Sequence, residues 1–237
     1  KPVRAFSALT VLYFLVVFVQ SAQKLMWLDE LITFHLARLG SVHDLWYALS
    51  AGADPNPPVT YILVHWCRQI FGDHEWAYRL PAALGCWVGL ASLFAFLKRR
   101  VCASWAVFGC LVWMAMAAFD YSFESRSYGI FYGLAMLAFL CWTLSIDGAK
   151  SSSVRWAALI GMVLALAAGV STNYFAVLAF LPPAAGELVR TAARVRRPLR
   201  GSTVEFRRSK RDRRPGLMTA IDFRIWIGFA VAAAPLL

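Results

Sequence analysis

Residues Leu80–Leu97 read LPAALGCWVGLASLFAFL, eighteen residues without a charge, closed by Lys98-Arg99-Arg100. A run of that length with so few polar groups is what a helix needs to cross the hydrocarbon core of a bilayer. Similar runs occur on both sides. Ala5–Val19 precedes it, and Val101–Phe119, Tyr128–Ile146 and Arg155–Val170 follow. A shorter segment, Tyr174–Leu188, carries Pro182-Pro183, and a last run opens near Ile221. The composition agrees: 60% of residues are hydrophobic and 16% charged, where a soluble domain has about half and a quarter. The mean hydropathy of +0.58 points the same way. The expected fold class is all-α, a polytopic transmembrane helical bundle of about seven spans.

Charge sorts the ends of these runs. Lys1 and Arg4, Lys98–Arg100, Lys150 with Arg155, and the Arg190–Arg214 run all fall on one side under strict alternation. Positive residues gather on the cytoplasmic side. The N-terminus is therefore expected in the cytoplasm of a multi-pass inner-membrane protein. The loop 20–79 then faces the periplasm or exterior, and a basic cytoplasmic loop covers 189–220. Between Arg190 and Arg214, eleven Lys or Arg stand against Glu205 and Asp212. The formal charge of +11 is thus concentrated beside a membrane and suits lipid headgroups. Nucleic acid is not expected as a partner, because Phe206 is the one aromatic in that run. The five cysteines form no CxxC pair and read as small buried hydrophobes.

The loop after the first span is expected to be ordered. Leu31, Phe34, His35 and Arg38 share a helical face, and Leu45, Trp46, Tyr47 and Leu49 suggest a second helix. Pro57-Pro58 can start a third, Val59–Phe71. At about 13 residues it is short for a span and is expected to lie at the interface. If it crossed, every later positive cluster would land outside.

Chemistry-bearing residues collect on the outer side. Asp29-Glu30 follows Trp27-Leu28 at the end of the first run, where a carboxylate is costly to keep without a partner or a task. They could serve as a base, or cap the next helix. Glu124-Ser125-Arg126-Ser127-Tyr128 offers a guanidinium and a phenol suited to phosphate, or an arginine snorkelling beside an aromatic belt. Further candidates are Tyr61 and His65 after Asn56-Pro57-Pro58, Arg79 before Leu80-Pro81, and Asn173-Tyr174. His65 on an apolar helix is more often a packed residue than a ligand. Two adjacent acids are a poor metal-ligand signature, so no metal site is expected from spacing.

The order of these clusters resembles the GT-C glycosyltransferases, and among them the bacterial branch of dolichyl-phosphate-mannose–protein mannosyltransferases and aminoarabinose transferases. Asp29-Glu30, Pro57-Pro58 with Tyr61, Phe71-Gly72, Glu75 with Arg79-Leu80-Pro81, and Glu124-x-Arg126-x-Tyr128 carry the resemblance. It covers nearly the whole chain as the N-terminal half of a typical member, a single GT-C-like domain over 1–237. It implies a glycosyltransferase that moves a sugar from a polyprenyl-phosphate donor to a glycan, lipid or protein acceptor outside the cytoplasm. It implies Asp29 as catalytic base with Glu30 beside it. Arg126 and Tyr128 match positions near the carrier phosphate, and a divalent cation (Mg or Mn) could assist. The chain departs from the family at Asn56 and Asn173, where a His or Lys, and a His, are common. Those departures leave open a second reading, a non-catalytic membrane subunit bound to partner proteins. A transporter is disfavoured, because the runs hold almost no charge at mid-depth.

Overall fold

The computed structural model describes residues 2–196 and 221–236. All regular structure among them is helical. Helix α1 is Pro2–Gln23, and three short helices follow: α2, Leu28–Ala37, α3, Val42–Ser50, and α4, Val59–Phe71. The long helices α5, Glu75–Lys98, α7, Ser127–Ser145, and α8, Ser152–Thr172, form the centre of the bundle. Between α5 and α7 lie α6, Ala103–Met114, and a 3₁₀ segment, Ala117–Phe123. A 3₁₀ segment, Tyr174–Phe180, leads into α9, Leu181–Arg196, and α10 is Phe223–Ala232.

Among the described residues, five helices are long and apolar enough to cross a membrane, or six if α6 and the segment after it count as one bent span. The expected seven spans are not reached among them. The apolar stretch Phe223–Leu236 is shorter than a span. Val101–Phe119 is not one straight helix: the chain bends by 79° between Met114 and Ala117. Core packing accounts for the bend. It turns Phe119 and Phe123 inward against Tyr13 of α1 and the apolar face of α5. The prolines after Tyr174 do not interrupt their segment, because they occupy the first turn of α9, where a missing N–H costs nothing. That helix continues to Arg196, into the stretch expected as loop. The remainder of the expected basic loop, 197–220, lies outside the described residues.

The bundle centre is held by a close crossing of α5 and α7. Gly85 and Gly89 on one helix face Gly129 and Gly133 on the other, two small-x-x-x-small pairs. A Cβ on Gly133 would sit 1.8 Å from the Gly85 carbonyl oxygen, so the backbones touch where no side chain fits. Elsewhere the long helices turn Val11, Leu15, Phe18, Trp105, Phe108, Ile160 and Leu164 outward. In water such a surface would be a liability; in a bilayer it is the ordinary face of a span. The protein is a multi-pass membrane protein.

The expected helices of the loop 20–79 are α2, α3 and α4. They form a small cap with its own core of Leu36, Leu45 and Tyr61, tied to the bundle through Val64 against Tyr78. Ser41 caps α3 by accepting from the Asp44 N–H.

Candidate functional site

The cap and the starts of α5 and α7 meet at one end of the bundle, and the two adjacent carboxylates there have opposite fates. Glu30 is completely buried. Its carboxylate accepts from Arg79 Nε at 3.0 Å and Nη2 at 3.3 Å. It also accepts the backbone N–H of Trp27 at 3.0 Å, closing the first turn of α2, and the backbone N–H of Ser125 at 2.7 Å. Arg79 spends its other donors on the carbonyls of Ser21 and Lys24. Every charge in this pair is met, which is the condition for tolerating it inside a protein. Glu30 was expected beside Asp29 at the reacting centre, and Arg79 among the substrate ligands. Both are instead sealed behind the site, where they tie together α1, α2, α5 and the strand of chain leading into α7.

Asp29 points the other way. Its side chain is 45% exposed, and its Oδ2 lies 2.7 Å from Arg126 Nη2. Arg126 is also 3.8 Å from Glu124, which pairs in turn with Lys24. The guanidinium rests over the rings of Tyr128 and Tyr121, 4.9 and 5.7 Å from their centroids. A row of alternating charge, Lys24, Glu124, Arg126, Asp29, thus ends at the mouth of a polar cavity of about 230 Å³. Asp29, Asp54, Asn56, Tyr61, Arg126 and Tyr128 line it. Burial, then the facing Asp54 carboxylate, pushes the Tyr61 phenol well above its ordinary range. Tyr61 therefore stays protonated, with its hydroxyl directed at Asp54.

The structure gathers Asp29, Arg126, Tyr128 and Tyr61 at this cavity, with Glu124 one contact behind. It does not bring His65 there. The His65 ring bonds the Ala37 carbonyl at 3.0 Å and the Gln69 amide at 2.8 Å, pinning α2 to α4. Asn173 is buried too. Its amide donates to the Ser127 hydroxyl at 2.8 Å and its carbonyl caps the segment after α8, so it fixes a cavity wall. Tyr174 stands on an adjoining groove. Asp54 is a cavity residue that sequence reasoning passed over. Its Oδ1 accepts from both the backbone and side-chain amides of Asn56, an Asx turn that the string Asp54-Pro55-Asn56-Pro57 could have suggested.

A cap of short helices thus sits over a multi-pass bundle, with the Asp29–Arg126 pair on the wall of the polar cavity between them. The sequence profile of the dolichyl-phosphate-mannose-protein mannosyltransferase family matches residues 55–201, and the chain belongs to that family. Among solved structures, apo ArnT from Cupriavidus metallidurans is similar over 97% of this chain, with a TM-score of 0.64 and 16% identity. At that identity the likeness is one of fold. The chain spans 40% of the length of that protein. No curated protein matches the sequence.

Proposed function

We propose that the polar cavity is the active site for transfer of a sugar from a polyprenyl-phosphate donor to an acceptor hydroxyl on the extracytoplasmic side. The observation that carries this reading is the Asp29–Arg126 pair, 2.7 Å apart on one cavity wall. It puts a proton acceptor and a phosphate-binding cation within reach of one sugar.

In the proposed step, Asp29 takes the proton of the acceptor hydroxyl as its oxygen attacks the anomeric carbon. The bond from that carbon to the phosphate oxygen breaks, and its electron pair leaves with the polyprenyl phosphate. Arg126 meets the growing charge on the phosphate, and Tyr61 and Tyr128 offer hydroxyls beside it. A single displacement inverts the sugar carbon. The Asp29–Arg126 pair also makes the base conditional. While the guanidinium holds Asp29, that oxygen is engaged. A donor phosphate competes for Arg126 and frees the carboxylate only when a sugar is present.

Two further observations support this reading. An apolar groove of about 240 Å³, lined by Leu63, Leu84, Ile130 and Leu134 among others, runs along α4, α5 and α7. The first turns of α4 and α7 line the polar cavity, so a phosphate in the cavity and an isoprenoid in the groove suit one ligand. The basic ends also gather opposite the cavity: Pro2 and Val3 of α1 lie beside Lys98, and Arg99 pairs with Asp147 at 2.5 Å. That distribution supports a cytoplasmic basic end and an outward-facing cavity. A Mg²⁺ or Mn²⁺ ion would find two carboxylates here, Asp29 and Asp54, and would need the donor phosphate and water for its remaining ligands. Among the described residues no group of three or more His, Cys, Asp or Glu gathers. We assign the main cationic role to Arg126.

The test is release of polyprenyl phosphate from a polyprenyl-phosphate sugar by the membrane-embedded protein, wild type against Asp29→Asn. Turnover that disappears in the variant while membrane insertion is retained supports the reading. Equal turnover in both removes Asp29 as the base. No turnover in the wild type favours the non-catalytic subunit.

A further inference from the structure

Beside the polar cavity lies a second concave site, a groove of about 290 Å³ between the end of α3, the turn before α4 and the start of the segment after α8. Trp46 and Tyr174 contribute to its walls, and both are more than half exposed. Asp54 and Asn56 line this groove and the polar cavity alike, so the two sites share a wall.

Exposed aromatics near a membrane often mark the interfacial belt. Tyr174 opens the candidate span Tyr174–Val195, where such a belt would lie, but it and Trp46 also line a groove. They share a concave surface with a carboxylate and a carboxamide, and they come from segments 128 positions apart in the chain. The Asx turn holds Asp54 and Asn56 in fixed orientation, and Gly52, at φ +90°, provides the reversal that brings them round beneath α3. Flat aromatic faces beside fixed carboxylate and amide groups suit one chemistry well. A pyranose ring has an apolar face of C–H bonds and an equator of hydroxyls, which such a wall can match at the same time. An extended peptide would ask instead for a row of backbone partners or a sheet edge, and the described residues contain no strand.

We infer that this groove is the acceptor subsite and that the acceptor is a carbohydrate, a glycan or the sugar headgroup of a glycolipid. Trp46 and Tyr174 stack on its ring, and Asp54 and Asn56 bond its hydroxyls at the border of the cavity that holds Asp29. The inference rests on the proposed function for the identity of the neighbouring cavity. Its own observations are the aromatic faces and the shared polar wall.

The experiment is saturation-transfer-difference NMR on the membrane-embedded protein in nanodiscs. The probes are methyl α-mannopyranoside, an N-acetylglucosamine disaccharide, a Ser/Thr-containing hexapeptide and a sugar-free alkyl phosphocholine. At least one carbohydrate should show ring C–H saturation, with affinity falling about tenfold or more in Trp46→Ala and in Tyr174→Ala. Trp46→Phe should restore most of it, and Trp105→Ala, on the lipid face of α6, should leave it unchanged. Three results would overturn the inference: no carbohydrate signal, a signal indifferent to Trp46 and Tyr174, or displacement of the sugar by the peptide or the alkyl probe. The donor-turnover assay separates the two readings. Wild-type turnover without Trp46-dependent sugar binding defeats this inference alone. Trp46-dependent sugar binding without turnover defeats the proposed function, and with it the acceptor role, while the groove stands as a carbohydrate site.

Discussion

Glu30 accepts the backbone N–H of Ser125 at 2.7 Å, and the residue beside each of them, Asp29 and Arg126, forms the 2.7 Å ion pair on the cavity wall. One buried bond therefore sets the register of the exposed pair. Two adjacent carboxylates have opposite surroundings: the inner one is spent on structural bonds, and the outer one lines the polar cavity.

The inner pair should be worth more to stability than any other polar contact at this end. Removing one partner of a buried, fully bonded ion pair costs about 3–5 kcal/mol. Glu30→Gln is expected to lower the thermal midpoint of the detergent-solubilised protein. Arg79→Lys should do nearly as much, because an ammonium cannot reproduce the two-pronged contact. A midpoint within a degree or two of wild type in both variants would count against the pair as a structural hub.

Asp29→Asn should leave the midpoint almost unchanged, since Asp29 is half exposed, yet reduce sugar transfer by about 10²-fold or more. Thermal unfolding and product release measured on one preparation check both halves. A variant that loses stability and activity in proportion would mean that Asp29 is structural.

Arg126→Lys should raise the donor KM and lower kcat. Lysine keeps the charge but loses the fork that can hold a phosphate and the planar stacking on Tyr121 and Tyr128. Initial rates against donor concentration decide it, and wild-type values for both constants would take the phosphate away from Arg126.

Gly133→Ala should damage the whole bundle rather than the site alone. Its new methyl would fall 1.8 Å from the Gly85 carbonyl oxygen, so α5 and α7 would have to separate. Loss of folded yield or a large drop in the thermal midpoint is expected. Gly148→Ala, where a Cβ meets open space, should be close to neutral.

Far from the cavity, hydrogen bonds from Arg224 and from Arg190 hold the Asp222 carboxyl down to about 2. A depressed carboxylate contributes stability that is complete above its unfolded value, near 4. That contribution is lost as pH falls from about 4 to about 2. Asp222→Asn should be less stable than wild type at neutral pH, and the gap should close across that window. A gap constant from pH 7 to pH 2 would argue against the pairing.

Much of this was legible in the one-dimensional chain. An apolar run such as Leu80–Leu97 must be helical and buried in lipid whatever surrounds it, because an unsatisfied backbone has no place in hydrocarbon. The short helices after α1 were equally readable from proline placement and amphipathic spacing, and Asp29, Arg126 and Tyr128 stood out as polar groups at the ends of apolar runs. The path of Val101–Phe119 was not readable, since its 79° bend serves contacts between Phe119, Phe123 and Tyr13 that are remote in sequence. Span-like composition sets whether a segment can enter a membrane, while packing partners set whether it runs straight.

The same division holds at the site. The amino-acid sequence by itself determined that acids, an arginine and tyrosines would sit at the ends of the apolar runs, because hydropathy acts locally. Only the tertiary structure decided which of two adjacent acids faces solvent, and that His65, Arg79 and Asn173 are spent on hydrogen bonds between elements. Those outcomes turn on hydrogen-bond partners 28 to 95 residues away, such as Ala37 for His65 and Ser125 for Glu30. A side chain's role at such a site follows from which donors and acceptors folding places beside it, and spacing along the chain does not encode that.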